Sequence, residues 1–462
     1  MTLIVDVDIL IIGAGLSGIG AARHVQSKLP GKTFAILEAR GAIGGTWDLF
    51  RYPGVRSDSD MHTLGYNFKP WISEKSIADG PAILAYVREA ATETGVDEHI
   101  LFDKKVLEAD WSSDEARWTV TFKDGPTGEV GRARCRYLYA NCGYYSYDHA
   151  YVPDFPGRER FQGSFVVPQS WPEGLDYTGK RVVIIGSGAT AVTLLPAMTD
   201  KAAHVTMLQR TPTYIATLPA RDRLANFLRG KVGHELAYAI TRWKNVTLQT
   251  VVFQLSRRRP QMMRRFFIGM AKKQLPDGYD MKNFRPPYNP WDQRLCAVPD
   301  GDLFEAIRRG DASVVTDRIA TFTEHGIQLE SGRELAADII VSATGLDLVP
   351  LGNIRISKDG VPVEARDTLI YKGLLVSDVP NLIFTLGYTN ASWTLKADLV
   401  AEFFCRAVKH MDRNGHNVFI AHNDDPDVEP VPALDFPSGY VLRAIDKFPK
   451  AGSKKPWRLG MM

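Results

Sequence analysis

The sequence predicts an α/β fold with two Rossmann-like domains, the second of which carries a helical insertion. Two observations carry this prediction: a buried strand followed by a glycine-rich turn and a helix occurs at residues 8–38 and again at residues 181–209. A third observation is a basic, helix-forming stretch at residues 222–275, which follows the second unit. The 462 residues suffice for roughly two or three domains.

The first unit begins with a continuous apolar strand at residues 8–12, followed by a helix from about Ser17 and a second strand at 33–38. Its turn carries Gly13, Gly15 and Gly18 in the spacing G-x-G-x-x-G, which permits a tight turn, close approach of a pyrophosphate and close helix packing. Glu38 ends the second strand, where it can bind a ribose hydroxyl. We predict an FAD site here, because the motif stands at the start of the chain and a second glycine pair follows at 44–45.

The second unit has strands at 181–185 and 204–209, with a helix between them. Its turn matches G-x-G-x-x-A, and the candidate nucleotide-binding residues are Gly186, Ser187, Gly188, Ala189 and Thr190. No acid ends the second strand; Arg210 and Thr211 follow it instead, and these suit the 2′-phosphate of NADPH better than the free hydroxyl of NADH. The alternative is that Arg210 is a surface arginine.

Further strands are predicted at 118–122, 137–141 and 336–344, and the Pro- and Gly-containing stretch 150–180 is typical of a linker. We therefore expect an FAD-binding domain in two parts, 1–148 and 336–462, the second ending in a surface wrap. An NADPH-binding domain is expected at 149–335, with its helical insertion at about 220–290.

Charge, cysteine spacing and missing motifs argue against several classes of function. The formal charge of +3 is too small to suggest nucleic-acid binding. The four cysteines are dispersed without a C-x-x-C pair, which predicts a reduced, cytoplasmic setting, no metal site and no disulfide reductase. No G-x-S-x-G motif supports a hydrolase. The apolar run at 9–22 is too short to cross a membrane, and Asp6 and Asp8 precede it where a signal peptide would carry basic residues.

The chain resembles the type I Baeyer–Villiger flavin monooxygenases over nearly its whole length, and three segments carry the resemblance. Residues 44–58 (GGTWDLFRYPGVRSD) are similar to the signature GGxWxxxxYPGxxxD, residues 161–172 (FQGSFVVPQSWP) to the fingerprint F-x-G-x-x-x-H-x-x-x-W-P, and residues 338–345 to the strand that returns to FAD. The branch that contains the ethionamide-activating monooxygenases of mycobacteria is most similar, on the stretches 51–66, 288–296 and 387–399. In one departure, Val167 stands at the fingerprint histidine.

The resemblance implies site residues. Arg294 corresponds to the active-site arginine of the family, and Asp58 to the residue that holds it; Asp58 could also cap the helix that follows. Trp47, Asp48 and Tyr52 are implied cofactor contacts, and Trp393 is a candidate for the substrate pocket. Gln293 replaces a lysine that often precedes the arginine, which puts one NADPH contact in doubt.

The resemblance also implies the reaction. NADPH reduces FAD, O₂ adds to give a C4a-peroxyflavin, and one oxygen atom is inserted beside a ketone carbonyl to give an ester or lactone. Two alternatives stay open: oxygenation of a sulfide, thioamide or amine, and uncoupled NADPH oxidation because of Val167. The basic stretch 222–275 is interpreted either as a subdomain that covers the substrate pocket or as a peripheral contact with an anionic membrane.

Overall fold

The computed structural model describes residues 3–293, 295–388, 390–433 and 438–460. The strands lie at β1 (Leu3–Ile12), β2 (Phe34–Leu37), β3 (Ile100–Leu101), β4 (Lys104–Ser112), β5 (Arg117–Asp124), β6 (Val130–Ala140), β7 (Ser164–Val166), β8 (Arg181–Ile185), β9 (His204–Gln209), β10 (Ile215–Leu218), β11 (Cys296–Pro299), β12 (Ala312–Thr316), β13 (Ile319–Thr323), β14 (Gly326–Leu329), β15 (Glu334–Ala336), β16 (Ile339–Ser342), β17 (Arg355–Lys358), β18 (Val361–Pro362), β19 (Ile370–Tyr371), β20 (Leu375–Val376), β21 (Leu382–Phe384), β22 (Pro430–Val431) and β23 (Ala451–Gly452). The α-helices lie at α1 (Leu16–Lys28), α2 (Thr46–Leu49), α3 (Met61–Leu64), α4 (Gly80–Thr94), α5 (Ala189–Met198), α6 (Arg223–Val232), α7 (His234–Arg258), α8 (Pro260–Lys272), α9 (Asp302–Arg308), α10 (Trp393–Asn414) and α11 (Gly439–Leu442).

Two sheets organise the chain. The first has the order β18-β17-β4-β5-β6-β1-β2-β3, with β21 also paired to β6. Strand β1 lies between β2 and β6 and is parallel to both. Residues 9–12 of β1 are buried, because helices α1 and α10 cover one face of the sheet and apolar side chains of β4 to β6 cover the other. The predicted βαβ unit at the start of the chain is confirmed by this arrangement.

The second sheet is parallel, with the order β12-β9-β8-β16-β7. Strand β16 falls within the predicted strand 336–344, but it pairs with β8 and β7 rather than with the first sheet. This differs from the expected division at residue 336, since the chain returns to the first sheet only with β17. A continuous apolar run is typical of a buried strand between parallel neighbours, which both sheets contain, so the residues of β16 do not indicate which sheet receives it.

The expected helical insertion is confirmed: α6, α7 and α8 lie between β10 and β11. Within the described part of the chain, no helix is both long enough and apolar enough to cross a membrane.

Candidate cofactor and substrate cleft

A cleft of about 1500 Å³ is lined by both glycine-rich turns. It brings together most of the residues that the sequence singled out. Those that line it are Gly13, Gly15, Glu38, Trp47, Tyr52, Asp58, Gly186, Ser187, Gly188, Ala189, Thr190, Arg210, Thr211, Gln293 and Trp393. The two turns, predicted from separate parts of the sequence, therefore open into one space.

The first turn presents bare backbone to the cleft. Gly13 has a φ of +98°, and a Cβ atom there would lie 2.7 Å from the Asn141 carbonyl oxygen. Gly15 instead has extended backbone and begins helix α1 without a side-chain cap or an acidic residue in the first turn. The amide groups of this first turn are therefore available to an anion, without a competing side chain.

Gly45 lies opposite Gly15: a Cβ atom on Gly45 would be 3.1 Å from the Gly15 Cα atom. Two glycines thus face each other at this point of the cleft, one from the helix start and one from the 44–58 segment. A pyrophosphate requires such a close approach to backbone.

Glu38 lies directly after β2, where the sequence predicted it. Its carboxylate accepts hydrogen bonds from the backbone amides of Ala14, at 2.6 Å, and Arg40, at 2.9 Å. Burial raises the pKa of Glu38 above its ordinary value, and these two hydrogen bonds act in the opposite direction. The carboxylate is therefore held rigidly beside the first turn, with lone pairs left for a hydroxyl donor.

Asn141 was missed by the sequence interpretation. It follows β6, lines the cleft and is only 5% exposed, yet neither side-chain polar atom has a hydrogen-bond partner among the described residues. An unbonded buried amide is costly, so its presence beside Gly13 favours a polar ligand there. The signal in the sequence was only its place after an apolar strand.

The second turn has the same construction. Gly186 has a φ of +136°, and a Cβ atom there would overlap the Ala343 carbonyl oxygen. Gly188 begins helix α5 without a side-chain cap, and nothing lies within 4 Å of the position a Cβ atom would take. The Ser187 hydroxyl donates to the Thr211 carbonyl at 3.0 Å, which ties the turn to the end of β9.

The end of β9 offers no carboxylate. Gln209 is buried and donates to the Asn283 carbonyl at 2.8 Å, so its side chain points into the protein. Arg210 is exposed, lines the cleft and has no acidic partner among the residues that the structure describes. Arg318, which the sequence analysis missed, is a second exposed arginine on the same cleft. The two guanidinium groups are suited to a phosphate.

Two of the predicted cofactor residues do not reach the cleft. Gly18 packs α1 against the turn, since a Cβ atom there would overlap the Gly13 carbonyl oxygen. Asp48 is 5% exposed and forms ion pairs with three arginines, Arg40 at 2.5 Å, Arg51 at 2.7 Å and Arg88 at 3.0 Å. Asp48 therefore stabilises the conformation of the 40–51 segment and does not contact the cleft directly.

Arg294 lies outside the described residues. Its expected partner Asp58 lines the cleft but does not cap the following helix: the cap of α3 is Asp60, which accepts from the Thr63 amide. The alternative interpretation of Asp58 as an N-cap is therefore wrong, because the cap lies two residues later. Tyr52 lies on the same wall; burial raises its pKa to about 12, and a hydrogen bond with Thr190 acts in the opposite direction.

An aromatic wall completes the cleft. Trp393 stacks on Tyr144 with ring centres 5.3 Å apart, and its indole nitrogen donates to the Ser17 hydroxyl at 2.6 Å. Tyr440 and Arg443 from the C-terminal segment also line the cleft, and the Arg443 guanidinium lies 3.4 Å from the centre of the Tyr151 ring. The segment expected to be a surface wrap thus contributes to the cleft, and its polar composition gave no signal for this.

The second fingerprint segment also reaches the cleft. Val167 is half-buried and lines it. Two residues later, the Gln169 side-chain nitrogen donates to the Ser146 carbonyl at 2.8 Å, while its side-chain oxygen has no partner among the described residues. No disulfide joins the four cysteines, all of which lie within the described residues, and these residues contain no cluster of metal-ligating side chains.

The chain is similar to proteins of known class. Residues 10–222 match the family model described as pyridine nucleotide-disulphide oxidoreductase. The FAD-containing monooxygenase EthA of Mycobacterium tuberculosis (strain ATCC 25618 / H37Rv) is 53% identical over 454 residues, which cover 98% of this chain and 92% of that protein. The putative FAD-containing monooxygenase MymA of the same strain is 52% identical over 459 residues, with coverages of 98% and 93%. The probable FAD-binding monooxygenase AlmA of Acinetobacter sp is 49% identical over 456 residues, with coverages of 98% and 92%.

Solved structures share the fold. A steroid monooxygenase bound to NADP has a TM-score of 0.74 at 24% identity, covering 89% of this chain and 87% of that one. An open form of cyclohexanone monooxygenase has a TM-score of 0.74 at 23% identity, with coverages of 93% and 90%. At this identity the likeness concerns the architecture of the two sheets.

Proposed function

The chain belongs to the family of FAD-containing monooxygenases, and on that premise we propose that it is of the Baeyer–Villiger type and uses FAD and NADPH to insert one oxygen atom of O₂ beside a ketone carbonyl. The observation that carries the proposal is the single cleft onto which both glycine-rich turns open. NADPH can reduce a bound flavin only if its nicotinamide reaches the flavin ring, so the two nucleotides must share one space.

The residues present fit the two cofactors. At the first site, Gly13 and Gly15 with Gly45 leave bare backbone for a pyrophosphate, and Glu38 offers a buried acceptor for a ribose hydroxyl. The unbonded amide of Asn141 is a further polar group for this ligand. FAD, when bound, would supply the activation of O₂.

At the second site, Gly186 and Gly188 give the turn, and Arg210 supplies a cation where an NADH enzyme would place an acid. Arg318 is a second cation on this wall. We therefore assign the phosphorylated dinucleotide to this site, and Ser187 and Thr211 to the support of its turn.

The aromatic wall formed by Tyr144 and Trp393 suits an apolar organic substrate. We assign to Asp58 the positioning of Arg294, as the family resemblance implies. An arginine stays charged at any working pH, so it would stabilise negative charge that develops on oxygen during insertion.

A second candidate function is uncoupled NADPH oxidation, and the observation that favours it is Val167. Its side chain stands on the cleft wall and offers neither a donor nor an acceptor. If a hydrogen bond at this position is needed to hold the nucleotide, NADPH would be consumed with release of peroxide.

The test uses the purified chain with its bound flavin read from the absorption spectrum. NADPH oxidation is followed with linear, cyclic and aryl ketones and with one sulfide, while ester, sulfoxide and peroxide are scored. Ester in proportion to NADPH supports the proposal. Sulfoxide without ester favours oxygenation of heteroatoms, and peroxide alone favours the oxidase. A protein that binds no flavin even after incubation with FAD would contradict the cofactor assignment.

A further inference from the structure

Helix α7 exposes an apolar stripe to solvent. Along its solvent side run Leu236, Ile240, Trp243, Val251 and Leu255, which are large apolar residues at spacings that place them on one side of the helix. Trp243 is 73% exposed and Leu236 is 53% exposed. A helix on the surface of a globular protein normally turns such a stripe inward.

The side of α7 that faces the protein carries polar side chains that are hydrogen-bonded to the rest of the chain. Arg242 donates to the carbonyls of His62, at 2.9 Å, and Gly65, at 2.9 Å. Asn245 and Gln249 donate to the two carboxylate oxygens of Asp60, at 2.9 and 3.1 Å. These bonds fix the rotation of the helix, so the apolar stripe stays outward.

The neighbouring helices extend the stripe. Phe227 of α6 is 63% exposed, and Phe266 of α8 is 55% exposed; Leu224 and Met262 are also exposed. We call the outward side of α6, α7 and α8 the apolar–basic face. Helix α7 packs against both α6 and α8, and exposed apolar side chains concentrated on such a unit mark a contact site rather than ordinary protein surface.

The same helices are strongly cationic. Residues 223–273 contain 12 lysines and arginines and one acidic residue, Glu235, whereas the whole chain has a net charge of only +3. Arg258, Arg259 and Arg265 are exposed and have no acidic partner among the described residues. Pairing two copies of this face would bring like charges together, which disfavours self-association through it.

We propose that the apolar–basic face docks on an anionic membrane surface. The outward aromatic and aliphatic side chains enter the boundary between headgroups and acyl chains, and the arginines contact lipid phosphates. The contact is peripheral, with α7 lying along the surface.

The test is flotation of the full flavin-loaded chain with vesicles. We expect binding to vesicles of roughly equal phosphatidylcholine and phosphatidylglycerol, and much weaker binding to phosphatidylcholine alone. The variant R258S/R259S/R265S should bind the anionic vesicles roughly a hundred-fold more weakly, because each of the three cations at the surface contributes about five-fold. The variant L236S/W243S/V251S should bind at least about ten-fold more weakly.

Two control variants replace residues of the same type that are exposed outside the apolar–basic face. V361S/V418S/I420S replaces three exposed apolar residues, and R355S/R366S/K454S replaces three exposed cations; both should bind like the parent. Flavin content and melting temperature are measured for every variant, and only variants that match the parent in both are compared. Unchanged flotation of both face variants, or equal binding to neutral vesicles, would overturn the proposal. The proposal would also be overturned if the L236S/W243S/V251S variant lost a concentration-dependent dimer, measured by sedimentation, but still bound vesicles. The face would then be a contact between two copies of the chain.

Discussion

Replacing Gly15 with alanine separates what the fold needs from what a cofactor needs. The backbone at Gly15 is extended, a conformation that any residue adopts. A Cβ atom there would lie 3.6 Å from the Gly45 Cα atom, which is ordinary van der Waals contact. We therefore expect the flavin-free G15A protein to fold, with its free energy of unfolding lowered by about 1 kcal/mol or less, the usual difference between glycine and alanine at a helix N-cap.

Flavin binding should respond differently. The added methyl would stand on the cleft side of the turn, where the proposed pyrophosphate approaches the backbone. Overpacking of this kind costs about 1–3 kcal/mol, which corresponds to a Kd for FAD raised by roughly 5- to 150-fold. The assay is reconstitution of flavin-free protein, followed by quenching of FAD fluorescence, together with denaturant unfolding of the same samples.

Two neighbouring glycines are the controls. In G18A the new Cβ atom overlaps the Gly13 carbonyl oxygen, so this variant should lose stability even without flavin. In G188A the Cβ atom meets nothing within 4 Å, so FAD binding should be unchanged while the KM for NADPH rises. A G15A protein with parental FAD affinity would refute the assignment of the first site, and one that unfolds as readily as G18A would refute the steric reasoning.

Three further changes test other parts of the cleft. R210A should raise the KM for NADPH by about 10- to 150-fold, since a charge-assisted contact contributes about 1.5–3 kcal/mol, and leave that for NADH nearly unchanged; R309A is the surface control, and equal losses for both nucleotides would contradict the 2′-phosphate assignment. D48N should lower the free energy of unfolding by about 1–3 kcal/mol, because the substitution removes the charge that pairs with three arginines. A raised Kd for FAD at unchanged stability would instead show that Asp48 contacts the cofactor directly. V167H should increase the ratio of oxygenated product to NADPH consumed if the chain is partly uncoupled, and a ratio already near one in the parent would show that the histidine is dispensable here.

The local elements of the fold could be predicted because their causes are local. The strand β1, the turn at Gly13 and Gly15 and the helix α1 follow from a continuous apolar run, glycine spacing and helical periodicity within about 25 residues. Glu38 and Arg210 were found for the same reason, since each directly follows a strand that begins at a predictable place.

What could not be predicted depends on partners that are distant in the sequence. The sheet that receives β16 is decided by pairing with β7 and β8, more than 150 residues earlier. Asp48 lies one residue from Trp47, which lines the cleft, yet its direction is decided by three arginines of which Arg88 lies on α4. The contribution of Tyr440 to the cleft likewise arises from packing of the C-terminal segment, which a polar composition does not reveal.

The 44–60 segment connects the cleft with the helical insertion, and this explains why its sequence is so distinctive. Gly45 faces Gly15 and shapes the proposed pyrophosphate site. Asp58 stands on the cleft wall, and two residues later Asp60 both caps α3 and accepts the hydrogen bonds from Asn245 and Gln249 that set the rotation of α7. One short segment therefore holds the cofactor cleft and orients the apolar–basic face, so the outward stripe of α7 is a consequence of the same contacts that build the site.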